Sequence, residues 1–464
     1  MSSANPLDRV VDHVINTRFE DLPQAVVDKT KTFLLDTLGV GIAGSAGAGI
    51  PELKQVAASW GQGEEATVWL TGERMPAQQA AILNAYQIHC LEFDCVHEGA
   101  VLHPMATILS AVMAWAEREK TRGRSIQGRD LITALALGVD VSTMLGVVTN
   151  SALRFFRPAT AGGFGAVVAI GKLAGFDALT LKNALGAQYS QTSGTLQPHV
   201  EGSPMLGLQV GFNARAALVS TDLALAGVRG PHDILTGQYG YFALFEQNDY
   251  DLEPFLARLG QDWQMLEMSH KPYPSGRLTH GAVDGLGQLM SKHGFTAYDI
   301  AAIVCEVPPL VHRLVGRPDV LHPESNYAKL CLRFVAGTFL ARGAVDVPDF
   351  RGRASLDDAA VHRYAALVDV VLDDNPDQNA LDPQTIRVRL KDGTDHSITL
   401  QHVYGHPKAP LTAEANVEKF RRCAGYGAVP LQQDSIDALI AAIDTLESNP
   451  DAASLVALTL AQPR

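Results

Sequence analysis

The sequence predicts a mainly α-helical protein, in which a large all-α domain carries a smaller inserted α+β domain. Three observations predict this fold class. Apolar residues recur with a helical period from about residue 7 to residue 265, strand-like composition begins after about residue 270, and helical periodicity returns after about residue 410. We therefore assign residues 1–268 and 406–464 to the all-α domain and residues 269–405 to the α+β domain. A chain of 464 residues is long enough to give each domain its own core.

Six segments in the first part of the chain place apolar residues at i, i+3, i+4 and i+7, as amphipathic helices do. They are residues 7–19, 21–44, 76–90, 103–119, 129–146 and 211–227. Small residues dominate GIAGSAGAGI (41–50) and AGGFGAVVAIGKLAGF (161–176), and such residues let helices approach closely. We expect these two stretches to be core helices or helix ends.

The inserted domain is predicted from segments with strand composition. AAIVCEVPP (301–309) and LVDVVLDD (367–374) are rich in β-branched residues, and TIRVRLKDGTDHSITL (385–400) is typical of a hairpin that turns at LKDGT. Between them, residues 326–343 have a helical pattern, which also returns at residues 417–425 and 434–448.

The composition excludes several classes of function. With 37 basic and 50 acidic residues, the net charge of -13 leaves no basic stripe for a nucleic acid. Five cysteines at irregular spacing do not form a disulfide framework and suit a reducing compartment. The N-terminal segment lacks a signal pattern, and we expect no apolar run of the ~18 residues that a membrane span needs. A soluble, cytoplasmic protein without nucleic-acid or membrane partners is expected.

One glycine-rich stretch superficially resembles a nucleotide site. Between Gly165 and Gly171 there are five residues instead of four, and Leu173 stands where a phosphate loop has Ser or Thr. Gly162, Gly163 and Gly165 follow no predicted strand, so a dinucleotide fingerprint is not supported either. We interpret these glycines as helix packing and expect no nucleotide cofactor.

The first candidate site is CLEFDCVHEGAVLHP, residues 90–104. A metal site would draw on Cys90, Glu92, Cys95, His97 and His103, but CxxC and HExxH spacings are absent, so we predict no metal. His103 precedes Pro104 and is expected at a helix N-cap, where the helix dipole keeps an imidazole neutral and able to act as a base. The alternative is a histidine that merely caps the helix.

The second candidate site is SHKPYPSGRLTHG, residues 269–281, at the predicted boundary between the domains. Prolines and a glycine fix this loop, and clefts often form at such boundaries. Lys271, Arg277 and His280 suit an anion with more than one carboxylate, and Tyr273 lies among them. The alternative is a solvated basic turn.

Together these segments resemble the MmgE/PrpD family, which includes 2-methylcitrate dehydratase, cis-aconitate decarboxylase and iminodisuccinate epimerase. The resemblance extends over nearly the whole chain: LLDTLGVGIAG, HCLEFDCVHEGAVLHP, FRPATAGGFGAVVAIGKLAGF, AALVSTDLALAGVRGPHDILTGQYGY, HKPYPSGRLTHGAVDG and GHPKAPLT. It implies a helical domain with a small α+β lid, a homodimer, a small polycarboxylate substrate and no cofactor.

The chain departs from the dehydratase and decarboxylase branches at several positions. Those branches have Asp-Phe-Asp-Asp-Thr where this chain has residues 92–96 (EFDCV), a His where Arg157 precedes Pro158, and a Lys near Leu206. His103, Lys271 and Arg277 are kept. The pattern is more similar to the iminodisuccinate epimerase branch, which implies epimerisation of an imino- or aminodicarboxylate by α-proton exchange. The alternatives are a hydro-lyase and a decarboxylase.

Epimerisation needs two groups on opposite sides of one carbon, and the growing negative charge needs nearby cations. We expect His103 and Lys271 to be that pair, with Arg157 and Arg277 holding carboxylates and Tyr273 and His280 orienting them. Should Lys271 only bind a carboxylate, the second base is His97, His280 or Tyr273. The remaining expected substrate contacts are Glu92, Asp94 and His97.

Overall fold

The computed structural model describes residues 5–461, so the outermost residues of the predicted domain bounds, 1–4 and 462–464, lie outside it. The chain is mainly helical. Before residue 260 the α-helices are Pro6–Asn16, Gln24–Gly44, Ile50–Ser59, Ala77–His89, Pro104–Thr121, Gly128–Val147, Arg157–Thr160, Gly162–Ala174, Ala178–Tyr189, Gln197–Glu201, Met205–Leu225, Tyr241–Phe245 and Glu253–Leu256. The six predicted helical segments are all helical, with ends shifted by a few residues.

The second part of the chain mixes helices and strands. Its α-helices are His280–His293, Pro309–Val315, Ser325–Lys329, Leu332–Arg342, Arg353–Leu356, Ala359–Ala365, Ala413–Gly425, Gln433–Asp444 and Ser454–Leu458. Its strands are Met268–Ser269, Ile300–Val307, Val368–Leu372, Gln384–Leu390 and Asp395–Leu400, while Ala66–Thr67, Arg74–Met75 and Val96–His97 are short strands of the first part. Turns of 3-10 helix are Phe19–Asp21, Gln264–Glu267, Arg277–Thr279, Ala297–Asp299, Val347–Phe350 and Leu446–Ser448.

One large apolar core joins the two ends of the chain. It includes buried residues from Leu7 to Met268 and again from Phe420 to Val456. Helix Ala413–Gly425 packs on helix Gln24–Gly44. Lys419 fixes this contact, because its Nζ forms a 2.7 Å ion pair with Asp36 and donates to the Phe93 carbonyl at 2.9 Å. The C-terminal helices therefore complete the core that the first half of the chain begins.

A four-stranded sheet occupies the middle of the second part. Strand Ile300–Val307 pairs in parallel with Val368–Leu372 and antiparallel with Gln384–Leu390, which pairs with Asp395–Leu400. The last two strands form the predicted hairpin, whose turn closes through the Leu390 N–H bond to the Thr394 carbonyl at 2.8 Å. Helix His280–His293 packs on the sheet, and two smaller apolar cores lie within residues 278–398.

The glycines of residues 162–175 have the packing role predicted for them. A Cβ on Gly165 would lie 2.4 Å from the Gly138 carbonyl oxygen, and a Cβ on Gly138 would lie 2.7 Å from the Gly165 carbonyl oxygen. Helices Gly128–Val147 and Gly162–Ala174 thus meet backbone to backbone, which larger residues would prevent.

We expected no apolar run long enough for a membrane span, but one helix meets that requirement. Helix Gly128–Val147 is long and apolar enough to cross a membrane by length and composition, although 89% of its most apolar window is buried inside the protein. Its apolar surface is used by packing against helices Pro104–Thr121 and Gly162–Ala174. The five cysteines are all buried, and none of them forms a disulfide.

Candidate active site

A small, largely apolar cleft lies between the 92–103 segment and the loop that begins at residue 270. Its free volume is ≈ 80 Å³. Its lining comes from seven parts of the chain: Glu92, Val96, Val101 and His103; Leu153, Phe156 and Pro158; Leu196, His199 and Leu206; Gly276, Arg277 and Leu278; Leu314 and Val315; Leu330; and Leu381.

The 92–103 segment is held in an unusual backbone conformation. Helix Ala77–His89 ends just before it, and Glu92 and Val101 have left-handed φ angles of 53° and 50°. Non-glycine residues rarely adopt this region, and the strain persists where surrounding structure fixes the chain. The short ladder between Val96–His97 and Met268–Ser269 provides that support, and it also brings the two predicted site segments together.

Asp94 lies at the centre of the polar groups behind the cleft. Its Oδ2 lies 2.9 Å from His89 Nδ1 and 3.5 Å from His103 Nδ1. The His89 and His103 rings are in edge contact, with centroids 4.9 Å apart. Asp94 is fully buried, and although burial opposes its charge, the two histidines hold its pKa well below the usual value. Asp94 is therefore a carboxylate that two imidazoles share.

The two histidines have opposite pKa shifts. Burial lowers the pKa of His89, but the charges of Asp94 and Glu92 outweigh it, and the net shift is upward. For His103, burial and then the Lys271 charge lower the pKa, against the pull of Asp94. Groups whose environments move their pKa values apart are suited to separate acid and base roles. The surroundings therefore favour the charged form of His89 and the neutral form of His103.

His103 is the N-cap residue of helix Pro104–Thr121, as predicted, but its side chain makes no capping hydrogen bond. Its Nδ1 lies 3.0 Å from the Cys95 carbonyl oxygen, which only a protonated Nδ1 can satisfy. This bond places the lone pair of the neutral ring on Nε2, and none of residues 5–461 hydrogen bonds to Nε2. Since His103 lines the cleft, Nε2 is the nitrogen available to a ligand.

Glu92 and Lys271 form a buried ion pair beside His103. Lys271 Nζ donates to Glu92 Oε2 at 2.8 Å, and the lysine side chain is fully buried. Burial would raise the pKa of Glu92, but Lys271, His89 and His103 together lower it to about 2. Glu92 lines the cleft as a carboxylate, with Lys271 directly behind it. The structure thus brings three predicted residues, Glu92, Lys271 and His103, to one place.

Arg157 does not reach the cleft as a free cation. Its Nε and Nη2 donate to the two carboxylate oxygens of Glu246 at 3.0 and 3.1 Å, and its Nη1 donates to the Ala100 carbonyl at 2.8 Å. The side chain is 98% buried. This bidentate pair fixes the loop that ends the 92–103 segment, so Arg157 differs from the predicted carboxylate ligand because its charge is already neutralised.

Arg277 lines the cleft, but most of its donors are occupied. Nε donates to Glu98 at 2.9 Å, and Nη1 and Nη2 donate to the carbonyls of Tyr404 and Val403 at 2.6 and 2.9 Å. A longer contact of 3.5 Å joins Nη1 to His280 Nδ1. One N–H of Nη2 is left for a ligand. Arg277 mainly ties the loop to the residues that follow the sheet.

His280 and Tyr273 lie away from the cleft lining. Buried His280 contacts the Ser275 carbonyl through Nε2 at 3.3 Å, and burial and the Arg277 charge hold its pKa well below the usual value. The Tyr273 ring packs edge-on against it, with centroids 5.1 Å apart, and burial raises the tyrosine pKa to about 12. The structure does not bring these two side chains to the position in which we expected them to orient a substrate.

Both ring nitrogens of His97 are used within the fold. Nδ1 accepts from the Ala100 N–H at 3.0 Å, and Nε2 lies 3.1 Å from Gln264 Oε1. Burial lowers the pKa of His97 to about 4, so the ring is neutral. His97 therefore braces the 92–103 segment and is not exposed to the cleft, in contrast to the predicted substrate contact.

Two histidines near the cleft were missed by the sequence reasoning as site residues. One is His89, the buried partner of Asp94. The other is His199, which lines the cleft and accepts from Arg317 Nη2 at Nδ1, at 2.8 Å. Burial and Arg317 lower the pKa of His199 to about 4, so its proton lies on Nε2, for which residues 5–461 provide no acceptor. Neither histidine stands in a recognisable motif, so the sequence offered no signal for them.

Among residues 5–461, two groups of side chains could bring ligand atoms within metal-binding distance. They are His89, Asp94 and His103, and, outside the cleft, Asp382, His402 and His406. In the first group, Asp94 already hydrogen bonds to His89 Nδ1, and the Cys95 carbonyl accepts from His103 Nδ1. The nearby cysteines are poor ligands, because burial raises the pKa of Cys90 to about 12 and that of Cys95 well above its usual value, which keeps both thiols protonated.

Comparisons with known proteins match almost the whole chain. A family model described as the MmgE/PrpD N-terminal domain matches residues 8–253, and the MmgE/PrpD C-terminal domain matches residues 273–445. Cis-aconitate decarboxylase from Homo sapiens is 26% identical over 94% of this chain and 91% of its own length. The proteins of the same name from Mus musculus and Aspergillus terreus are 26% and 24% identical, over 94% and 93% of this chain and 90% and 91% of their own lengths. These matches give no support to the iminodisuccinate epimerase branch expected from the sequence.

Proposed function

Because the chain belongs to the MmgE/PrpD family, we propose that it is a cofactor-independent lyase that decarboxylates a small unsaturated carboxylic acid, with His103 transferring the proton. The observation that carries the proposal is the arrangement of His103, whose Nε2 is available to a ligand while Cys95 and Asp94 hold Nδ1. The names of the relatives favour a lyase over the epimerase that we expected from the sequence.

The proposed reaction needs one proton at one carbon. The C–C bond to the leaving carboxylate breaks, CO₂ departs, and the electron pair moves into the neighbouring double bond. The carbon at the far end of that system then takes a proton. His103 takes a proton from solvent at Nε2, and Asp94 stabilises the imidazolium that delivers it.

The surrounding residues have supporting roles in this proposal. The free N–H groups of His199 and Arg277 hold the carboxylate that stays on the substrate. Negative charge that develops beside this carboxylate meets donors that are already oriented, which lowers the barrier without reorganisation. The apolar wall excludes water from the carbon that takes the proton.

The position of Lys271 argues against the two-base epimerisation that we predicted. Its Nζ is bound to Glu92, which belongs to the same short segment as His103. Proton removal from one face and return to the other needs groups on opposite sides of the carbon. The part of the lining outside the 92–103 segment consists mostly of apolar side chains such as Leu278, Leu314 and Val315.

A hydro-lyase is the second candidate, and the lowered pKa of His103 favours it. A neutral imidazole can take a proton from the carbon beside a carboxylate, after which hydroxide leaves with a proton from the site. This reaction starts from unprotonated His103, whereas the decarboxylation needs protonated His103.

The test is proton and carbon NMR of the purified protein in deuterated water. The substrates are cis-aconitate, a 3-alkylglutaconate, citrate, 2-methylcitrate, malate and iminodisuccinate. We expect CO₂ and a product that carries one deuterium. Loss of water without CO₂ would show that the protein is a hydro-lyase. Exchange of the α-proton alone would show that it is an epimerase.

A further inference from the structure

The lining of the cleft is too apolar for a tricarboxylate. Twelve of its lining residues carry aliphatic, aromatic or proline side chains, among them Val96, Leu206 and Leu381, and the charged side chains in the lining are Glu92 and Arg277. A carboxylate buried against apolar side chains without a donor is strongly destabilised. The lining therefore restricts how many carboxylates a ligand can carry.

The cations around the cleft are already paired. Lys271 lies 2.8 Å from Glu92, and Arg277 lies 2.9 Å from Glu98. Arg157, the neighbour of the lining residue Pro158, is 3.0 Å from Glu246. A substrate carboxylate gains little from a cation whose charge a buried carboxylate already balances, so these three pairs do not provide three anion sites.

Arg317 is the exception on the His199 side of the cleft. Its Nη1 and Nη2 donate to the His199 carbonyl and Nδ1 at 3.0 and 2.8 Å, and no carboxylate of residues 5–461 forms an ion pair with its guanidinium. His199 thus presents a neutral N–H with an uncompensated positive charge behind it. Lys329 is also free of a close carboxylate, but it donates to the Cys90 carbonyl and lines a separate cavity.

The distribution of charge and apolar surface defines a substrate class. We infer that the cleft takes an unsaturated dicarboxylate that bears an alkyl group, in place of the three carboxylates of cis-aconitate. One carboxylate lies at His199 and Arg277, the second leaves as CO₂ beside His103, and the alkyl group occupies the surface of Leu206 and Leu381. This inference rests on the proposed function for the fate of the second carboxylate, but not for the alkyl group.

A binding measurement with a matched pair of ligands tests the inference without turnover. Cis-aconitate is a glutaconate with a carboxylate at C3, and 3-isopropylglutaconate of the same double-bond geometry has an alkyl group of similar size at that carbon while keeping the CH₂-bound carboxylate that the proposed reaction removes. Isothermal titration calorimetry of the full chain should show at least ~10-fold tighter binding of 3-isopropylglutaconate, since one unpaired buried carboxylate is worth that factor or more. Tighter binding of cis-aconitate, or binding of neither ligand at millimolar concentration, overturns the inference.

Variants of the apolar lining should reverse the preference between the two ligands. Leu206→Lys places a cation at the apolar end, so cis-aconitate should gain and 3-isopropylglutaconate should lose affinity, each by ~10-fold. Leu381→Arg is a second variant with the same expected direction, at a residue that is only partly buried and tolerates a larger side chain. Leu179→Lys, at a residue 56% exposed on another helix, is the matched control and should change neither affinity. An unchanged ratio in both cleft variants overturns the inference.

The two proposals fail in different ways. If 3-isopropylglutaconate binds tightly and follows the variants but releases no CO₂, the lyase is wrong and the ligand class stands. If CO₂ is released from cis-aconitate by a protein that binds it more tightly than 3-isopropylglutaconate, the lyase stands and the ligand class is wrong.

Discussion

Lys271 donates a 2.8 Å hydrogen bond to Glu92 across 179 residues of sequence, and both side chains are buried. This pair is the direct connection between the two segments that the sequence marked as candidate sites. Removing one partner leaves a buried charge without compensation, which is much less favourable than removing both.

Substitution of Lys271 by Met should lower the free energy of unfolding by about 3–5 kcal/mol, because Glu92 is left buried and unpaired. The double variant Lys271→Met with Glu92→Gln should recover part of this loss. Urea unfolding of the two single variants and the double variant measures the coupling. Additive losses would show that the two charges do not depend on each other.

Substitution of His103 by Gln should reduce kcat by about 10²- to 10⁴-fold, the usual contribution of a proton-transfer group. The far-ultraviolet circular dichroism spectrum should not change, because the His103 side chain makes no capping bond. His322→Gln is the control, since this side chain is 74% exposed and remote from the cleft. A fully active His103→Gln protein would remove His103 from the mechanism.

The pH dependence of kcat/KM should distinguish the two candidate reactions. The pKa of His103 lies below the ordinary value of about 6.5, so the imidazolium needed for decarboxylation becomes more abundant as the pH falls from 7. The decarboxylase rate should therefore rise with falling pH, and a hydro-lyase that uses neutral His103 should lose activity over the same interval. Asp94→Asn should move the profile to lower pH, because Asp94 raises the pKa of His103.

Protein stability should fall between pH 6.5 and pH 4. His97 has a folded-state pKa of about 4 and an unfolded value of about 6.5, so the unfolded chain binds a proton that the folded protein does not. His97 alone should lower the free energy of unfolding by about 2 kcal/mol between pH 7 and pH 5.

The variant His97→Gln isolates this contribution. It should be less stable than the natural protein at pH 7, because the bonds to Ala100 and Gln264 are disturbed, but its loss between pH 7 and pH 5 should be smaller by about 2 kcal/mol. Urea unfolding at the two pH values provides the measurement. Equal pH dependence in both proteins would mean that His97 titrates normally in the folded state.

Chelation should leave activity unchanged. Hydrogen bonds to the Asp94 carboxylate and to the Cys95 carbonyl already orient His89 and His103 respectively, and the proposed reaction uses no Lewis acid. Dialysis against EDTA followed by elemental analysis and an activity assay tests this. Loss of activity that Zn²⁺ or Mn²⁺ restores would instead assign His89, Asp94 and His103 as metal ligands.

Much of the fold follows from local patterns in the sequence. Helical periodicity located helix Gln24–Gly44 and helix Pro104–Thr121, and the Lys391–Thr394 turn was evident from its residue types. The position of His103 was also predictable, because Pro104 suits the first turn of a helix and limits where that helix begins. These features depend on neighbours in the sequence.

The site was predicted less well, because its electrostatics depend on distant partners. Arg157 looked like a ligand for carboxylates, but Glu246, 89 residues further along the chain, neutralises it. His199 stands alone in the sequence and gains its role from Arg317. No local pattern shows which charge will be paired after folding, so the predicted number of free cations was too high.

The contact of Lys419 with Asp36 and with the Phe93 carbonyl has a consequence for biosynthesis. A ribosome that has reached residue 405 has already polymerised every residue that lines the cleft, yet the lysine that anchors Phe93, next to Glu92, is still to be made. The nascent polypeptide can therefore complete the contacts around its candidate active site only near the end of translation. Products of premature termination before Lys419 lack this support of the backbone at Phe93.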